Sequence, residues 1–212
     1  MKFYGQFRPP VDQVLFERYG EELGGEPGYF VESGAFDGQT ECNCKFLEES
    51  LGWTGVNVEP FPHHFRKLVR NRPRSINWNC ALSSHIGRQT FHHVAHPRLG
   101  DDFGNGSLAH TPEHKAALRQ DGCTFHDIDV PILTYDAVVR ASGLPRVDLF
   151  SLDVEGHELA VLDGMHDPAL LPRLLCVETG HDRDQAIHWR LTEMGFVKDG
   201  EYLVNSFYRR AA

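Results

Sequence analysis

The chain has 212 residues and a net charge of -9 with histidine counted as neutral. That length suits one domain, which buries roughly 70% of its unfolded surface, and the acidic balance argues against nucleic acid as a partner, because phosphate binding needs a basic face. The five cysteines form no C-x-x-C pair, so we expect reduced thiols and a cytoplasmic protein. No apolar run is long enough to span a bilayer, so no membrane partner is expected.

In chain order, apolar runs typical of strands alternate with segments of helical periodicity. The predicted strands of the first half are 28–33, 55–60 and 75–83, and the predicted helices are 40–52 and 61–72. We expect 88–96 to pair with 75–83 across the turn "SHIG". The alternation then breaks at 97–122, which is rich in glycine and short polar residues and has one helix beginning near Thr111-Pro112. Because a loop this long in a compact domain is functional or disordered, we interpret it as a lid over an acceptor site.

The second half returns to alternating strands and helices and closes on a hairpin. An extended segment, 123–133, precedes a predicted helix at 134–142. A strand, a loop and a helix follow in 146–165, then a strand at 173–181, a helix at 184–195 and the hairpin 196–210. Asp199-Gly200 is predicted to form the tight turn of that hairpin. The pattern indicates an α/β fold with a mostly parallel sheet, helices on both faces and an antiparallel last strand.

Ligands of such sheets bind at the carboxyl ends of the strands. That rule selects the polar residues that follow four apolar strand cores, namely Glu32-Ser33-Gly34, Glu59-Pro60, Asp153-Val154-Glu155 and Glu178-Thr179-Gly180. The turn "GAFDG" lacks the middle glycine that makes room for pyrophosphate in dinucleotide folds. Glu59, roughly 20–25 residues beyond that turn, can accept hydrogen bonds from both hydroxyls of a ribose.

An acidic strand end and a ribose-binding acid without a phosphate cradle fit S-adenosylmethionine, which carries no phosphate and is cationic at its methionine end. Two simpler readings stay open here: a tight turn without a ligand, and a solvated acid at Glu59. Two other functions also stay open. One is a protein that binds S-adenosylmethionine or S-adenosylhomocysteine without turnover, and the other is a nucleotide-dependent oxidoreductase on a similar sheet.

Two blocks resemble the FkbM family of S-adenosylmethionine-dependent methyltransferases. The first is "FVESGAFDGQTECNCKFLEESLGWTGVNVEPFPHHFRKL", and the second is "VDLFSLDVEGHELAVLDG". The resemblance implies a single domain over 1–212 with a class I methyltransferase, Rossmann-like sheet of seven strands, on which an N-terminal extension, 1–27, packs. It also implies O-methylation of a hydroxyl on a small-molecule acceptor such as a sugar or polyketide.

The resemblance also implies site residues in this chain. Around the methionine end it places Glu32, Gly34, Ala35, Phe36, Asp37 and Gly38, with Thr40 and Asn43 near the carboxylate. It places Glu59 at the ribose, Pro60, Phe61, Cys80 and Ala81 near the adenine, and Asp153 facing the sulfonium and the acceptor. Phe36 departs from the wider superfamily, in which many members have glycine there.

The catalytic candidates lie in "DVEGHE". Asp153 ends a strand, and His157 is the natural base because imidazole titrates near neutral pH; the alternative for His157 is a solvent-facing loop histidine. Glu155 is expected to share a helical face with Leu159 and Leu162 and to hydrogen-bond the turn at the N-terminus of that helix. Metal assistance is the other route: Asp153, Glu178 and His181 would hold a divalent ion that lowers the pKa of the acceptor hydroxyl.

Overall fold

The structure, a computed structural model, describes residues 1–180 and 184–211. Its elements in chain order are α1 (Val11–Leu23), β1 (Tyr29–Ser33), α2 (Lys45–Ser50), β2 (Thr54–Val58), α3 (Pro62–Asn71), β3 (Ile76–Trp78), β4 (Ala81–Leu82), β5 (Gly87–Ala95), α4 (Pro112–Gln120), β6 (Thr124–Leu133), α5 (Tyr135–Ser142), β7 (Leu149–Leu152), α6 (Glu158–Leu162), β8 (Leu174–Glu178), α7 (Asp184–Glu193), β9 (Phe196–Tyr202) and β10 (Asn205–Arg210). None of the described helices combines the length and the apolar character that crossing a membrane requires.

Seven strands form the central sheet in the order β3-β2-β1-β7-β8-β10-β9. The pairs from β3 to β8 are parallel, whereas β10 runs antiparallel to both β8 and β9. The predicted mostly parallel sheet with an antiparallel closing hairpin is therefore confirmed. Parallel neighbours bring the carboxyl ends of β1, β2, β7 and β8 to one edge of the sheet.

Each face of this sheet is covered by helices because its strands are apolar on both sides. Phe30 packs into a core cluster with α1 and α2, whereas its neighbour Val31 packs into the cluster formed with α5, α6 and α7. Leu149 and Phe150 on β7 divide in the same way. Successive side chains of a strand point to opposite faces, so near-continuous apolar runs fit a sheet that is buried on both sides.

The segment 75–83, expected to be one strand, divides between two sheets. β3 joins the central sheet, whereas β4 joins a three-stranded sheet of order β4-β6-β5. The side chain of Asn79 donates to the carbonyls of Glu59 and Pro60 at 2.8 and 3.0 Å, which accompanies the departure of the chain from the central sheet. The predicted pairing of 88–96 with 75–83 is wrong, because β6 lies between β4 and β5 and pairs with both.

The closing hairpin turns later than predicted. Asp199-Gly200 lies inside β9, and the turn is formed by residues 203–204. Phe207 pairs with Gly200 and Tyr208 with Lys198, so Asp199 is the extra residue of a bulge. A bulge and a turn both favour Asp and Gly, so the dipeptide alone does not separate them.

Candidate active site

A cavity of about 310 Å³ lies along the carboxyl ends of the central strands. Ser33 and Gly34 line it after β1, Glu59 and Pro60 after β2, Asp153 to Glu155 after β7, and Glu178 at the end of β8. All four strand ends selected from the sequence thus meet in one cavity, as the topology of open α/β sheets predicts.

Glu59 is a buried carboxylate that the backbone holds in place. One oxygen, Oε2, accepts from the backbone N–H of Phe36 at 3.0 Å, and Oε1 accepts from that of Phe61 at 2.8 Å. His64 Nδ1 lies 3.8 Å from Oε1. A carboxylate has about four acceptor positions, so two backbone bonds leave capacity for the hydroxyls of a ligand.

Gly34 brings the turn after β1 against the end of β7. Its φ is +85°, and a Cβ atom there would lie 1.8 Å from the carbonyl oxygen of Asp153. Only glycine allows that approach. The next turn residue, Phe36, has a φ of +49° although it is not glycine. The two strand ends thus form a continuous floor under the cavity.

Glu32 is buried but does not line the cavity. Its Oε1 accepts from the backbone N–H groups of Asn43 and Cys44 at 2.7 and 3.0 Å, and Oε2 accepts from Arg72 Nη1 at 3.1 Å. These bonds, with a further contact from Cys42 Sγ at 3.0 Å, occupy the carboxylate. The structure therefore gives Glu32 the role of holding the loop before α2, and α2 begins later than predicted because 42–44 is tied to this carboxylate.

Half of the predicted cofactor residues line the cavity and half do not. Those at the cavity are Gly34, Phe36, Thr40, Glu59, Pro60, Ala81 and Asp153, and those away from it are Glu32, Ala35, Asp37, Gly38, Asn43, Phe61 and Cys80.

The residues away from the cavity have local tasks. Asp37 Oδ1 accepts from the backbone N–H groups of Gln39 and Thr40 at 2.8 and 2.6 Å. Gly38 packs against α3, and the thiol of Cys80 lies in the core, where burial raises its pKa to about 12. These residues shape the turn and the wall behind it.

Asp153 is half-buried at the cavity and hydrogen-bonds Glu178. Burial raises the pKa of Asp153 well above its usual value, and the nearby charges of Glu178, Glu155 and Glu158 add to that shift. Two carboxyl groups in contact cannot both ionise cheaply. These surroundings therefore favour the protonated form of Asp153.

His157 lies just before α6 and lines the cavity. It is 7% exposed, so the solvent-facing alternative is wrong, and its Nε2 lies 3.1 Å from Ser83 Oγ. Imidazole in such a place can accept a proton from a hydroxyl in the cavity.

Glu155 precedes α6 with a φ of +56°, so the predicted helical face with Leu159 and Leu162 is wrong. Its carboxylate lines the cavity, accepts from Asn105 Nδ2 at 3.1 Å and lies 3.8 Å from His114 Nδ1. The task expected of it falls to Glu158, whose Oε1 accepts from the backbone N–H groups of Val154 and Gly156 at 3.0 and 3.1 Å.

Several cavity residues were not among the site residues predicted from the sequence. They are Gln6 and Phe7 near the N-terminus, Phe91 and His93 on β5, Asn105 and Leu108 before α4, and Val204 at the last turn. Phe91 and His93 point the same way because they are two positions apart on a strand. Burial lowers the pKa of His93, and its ring stacks on Phe61 with centroids 3.7 Å apart.

The metal alternative is only partly within the described structure. Asp153 and Glu178 meet at the cavity, whereas His181 lies outside the described residues. Within 1–180 and 184–211, no three His, Cys, Asp or Glu side chains are grouped so that they could hold a metal ion. The three-residue metal site stays a prediction.

The chain is similar to known proteins in sequence and in fold. The model of the methyltransferase FkbM domain matches residues 32–198. A crystal structure of methyltransferase FkbM from Methylobacillus flagellatus KT is similar with a TM-score of 0.50 and 14% identity, and the alignment covers 86% of this chain and 43% of that one. This chain thus spans less than half of that protein.

A precorrin-6y C5,15-methyltransferase from Geobacter metallireducens GS-15 aligns with a TM-score of 0.44 and 11% identity, over 97% of this chain and 92% of that one. No curated protein matches in sequence. The family model covers most of the chain, the whole second block and all but the first two residues of the first block. The chain therefore belongs to the FkbM methyltransferase family.

Proposed function

We propose that the protein transfers a methyl group from S-adenosylmethionine to a hydroxyl of a small molecule. The observation that carries the proposal is Glu59, a buried carboxylate at the end of β2 that faces the cavity with acceptor capacity to spare. Family membership supports methyl transfer over the nucleotide-dependent oxidoreductase considered from the sequence. We further propose that it works in the reducing cytoplasm, which suits its five buried and unpaired cysteines.

The cavity fits a cationic ligand without phosphate. Its lining contains five carboxylates, Glu41, Glu59, Asp153, Glu155 and Glu178, and the described part of the chain contributes no lysine or arginine to it. Phosphate would be repelled by such a lining. S-adenosylmethionine, when bound, supplies a methyl group activated by a sulfonium. Glu59 would hold the ribose, and the close approach at Gly34 would shape the floor beside it.

Residues of the chain would then orient and deprotonate the hydroxyl of the acceptor. Asp153 would orient this hydroxyl by a hydrogen bond, since this side chain lies in the cavity at the end of β7. His157 would take the hydroxyl proton as the acceptor oxygen bonds to the methyl carbon and the bond from that carbon to the sulfonium sulfur breaks, which leaves S-adenosylhomocysteine. A positioned base of this kind contributes on the order of 10²–10⁴-fold. Holding the reacting groups in line can contribute about 7–11 kcal/mol at best.

Calorimetric titration with S-adenosylmethionine and S-adenosylhomocysteine tests the cofactor part of the proposal. Replacing Glu59 by Ala or Gln should weaken both ligands by about 1.5–3 kcal/mol, since a charge-assisted hydrogen-bonding site is lost. Glu17→Gln on the exposed side of α1 is the matched control. Unchanged affinity in both Glu59 variants would contradict the ribose role.

Methyl transfer itself is tested with labelled S-adenosylmethionine and a panel of hydroxylated metabolites. Binding without any transfer would favour the remaining alternative, a protein that holds the cofactor without turnover.

A further inference from the structure

The cavity is long enough in one direction to have two different ends. Going along the sheet edge, Glu59 follows β2, and Val204 immediately precedes β10. The strands between them in the sheet are β1, β7 and β8. Four strand spacings of about 4.8 Å separate the two positions by about 19 Å. One end therefore carries the ribose candidate. The other end, which we call the distal end, carries Glu178 and Val204, and Phe7 reaches it through its contact with Tyr202 of the hairpin. We include Gln6, which precedes Phe7, and Glu41, whose loop adjoins the N-terminal segment where Gly5 lies against Asn43.

The distal end is a structured wall. The rings of Phe7 and Tyr202 meet edge to face with centroids 6.3 Å apart, and Tyr202 Oη donates to the carbonyl of Pro9 at 2.9 Å. Behind them, the buried carboxylate of Asp12 accepts from the backbone N–H groups of Tyr4 and Gly5 at 2.7 and 3.0 Å. The N-terminal segment is thus fastened both to α1 and to the β9–β10 hairpin.

Most of this wall lies outside the part of the chain that the family model describes. Gln6, Phe7 and Val204 all fall outside the matched residues, 32–198. The ribose end, in contrast, is built from residues within the match. This difference is expected if the common ligand is bound by shared residues and the individual ligand by residues particular to this chain.

The chemistry of the distal end is apolar and acidic. Phe7 and Val204 offer apolar surface, and Glu178 and the exposed Glu41 also line the cavity. Asp153 hydrogen-bonds Glu178. An anionic group placed here would meet carboxylates within a partly enclosed space, where charges interact more strongly than in water. An ammonium group would be attracted, and an aromatic ring would pack against Phe7.

We propose that the distal end binds the methyl acceptor, and that it selects a small molecule with an apolar ring and an amine over one with a carboxylate or phosphate. The term acceptor rests on the proposed function; the charge preference does not. Glu41 and Glu178 attract the amine, and Phe7 and Val204 cover the ring.

Three matched phenols test the proposal because they differ only in the head group: tyramine, with an amine, tyrosol, with a hydroxyl, and 3-(4-hydroxyphenyl)propanoate, with a carboxylate. Their binding to the whole protein is measured by ligand-observed NMR and calorimetry, with and without saturating S-adenosylhomocysteine. We expect tyramine to bind at least about tenfold more tightly than the propanoate, with tyrosol between them.

Variants then locate the site. Phe7→Ala and Glu41→Gln should each weaken tyramine by about tenfold, whereas Phe7→Leu should keep most of the affinity and Glu21→Gln, on exposed α1, all of it. S-adenosylhomocysteine affinity should stay as in the unchanged protein in all variants, which shows that they fold. The melting temperature should stay in Glu41→Gln and Phe7→Leu and fall in Phe7→Ala, which loses its contact with Tyr202.

Three results would overturn the proposal: a propanoate that binds as well as tyramine, tyramine binding that neither variant weakens, or no tyramine binding in the millimolar range. Failure to bind S-adenosylhomocysteine would instead count against the proposed function. The relative affinities of the three phenols, measured without S-adenosylhomocysteine, would still decide the charge preference.

Discussion

At the scale of single residues, ionised Asp153 lowers the stability of the fold, although its position at the cavity suits the binding of a cation. Burial and the neighbouring carboxylates raise its pKa, so the folded chain holds a proton there at a pH where the unfolded chain has lost it. The contribution of this carboxyl to stability is therefore fully present below its unfolded pKa of about 3.9. It is lost as the pH rises through the folded pKa. A cation bound beside Asp153 would favour the ionised carboxylate and so offset this loss of stability.

Replacing Asp153 by Asn should therefore stabilise the ligand-free protein at neutral pH while impairing methyl transfer. The expected gain is about 1.4 kcal/mol for each pH unit from the unfolded pKa up to the folded pKa or to pH 7, whichever is lower, and it should shrink towards pH 4. Urea unfolding at pH 4 and pH 7 measures it, with Asp121→Asn, at an exposed position, as the control. A variant that is no more stable than the unchanged protein at pH 7 would show that Asp153 carries no such penalty.

At the scale of elements, the segment between β5 and α4 forms a roof over the cavity that contacts both α3 and the floor. His63 Nε2 contacts Asp102 Oδ1 at 2.8 Å, and Lys67 on the same helix also bonds Asp102. Beside them, His64 Nε2 contacts the carbonyl of Asp101 at 2.6 Å. Further along the segment, Ser107 Oγ donates to the carbonyl of Val154 at 3.2 Å. The roof is thus tied to α3 by charges at the surface and to the floor by polar bonds.

The predicted lid, 97–122, includes this roof and α4, and its movement stays a prediction. Asp102→Ala should speed hydrogen exchange in residues 99–106 by about two- to fivefold, because surface ion pairs contribute roughly 0.2–1 kcal/mol. Asp129→Ala, on β6 and paired with Arg88, is the control and should leave this segment unchanged. S-adenosylhomocysteine together with tyramine should slow exchange there, and equal exchange with and without ligands would contradict a lid.

At the scale of the whole molecule, the ligand would touch both halves of the fold. The two main core clusters lie on opposite faces of one sheet, and the cavity runs along the edge that they share. Elements that share a sheet are expected to unfold together. A ligand bound at the strand ends should therefore stabilise the entire domain.

S-adenosylhomocysteine at about 100 times its dissociation constant should add about 2.7 kcal/mol. For a chain of this size that raises the melting temperature by about 5–11 °C in a single transition. ADP is the matched control. It carries adenosine and phosphates, and the described cavity lining offers phosphate no lysine or arginine. A shift with ADP equal to that with S-adenosylhomocysteine would contradict the proposed ligand chemistry.

The sequence by itself determined the elements whose signals are local. The apolar runs of β1, β2, β7 and β8 were readable because breakers bound them, and their polar ends meet where the sheet topology requires. Thr111 accepts from the N–H of His114 at 3.1 Å and starts α4 where predicted. Glu59 was identified for the same reason, since its place depends only on the end of one strand.

Only the tertiary structure decided what depends on partners far along the chain. Glu32 lies near the end of β1 and Glu59 directly follows β2, so the two acids look alike in sequence. Arg72, 40 residues from Glu32, bonds the carboxylate of Glu32, whereas Glu59 accepts only two backbone bonds and keeps acceptor capacity. The distal end joins Phe7 to Val204 across nearly the whole chain. Periodicity and turn chemistry describe neighbours in sequence, whereas a site is closed by contacts between elements, and those are fixed only when the sheet and its helices pack.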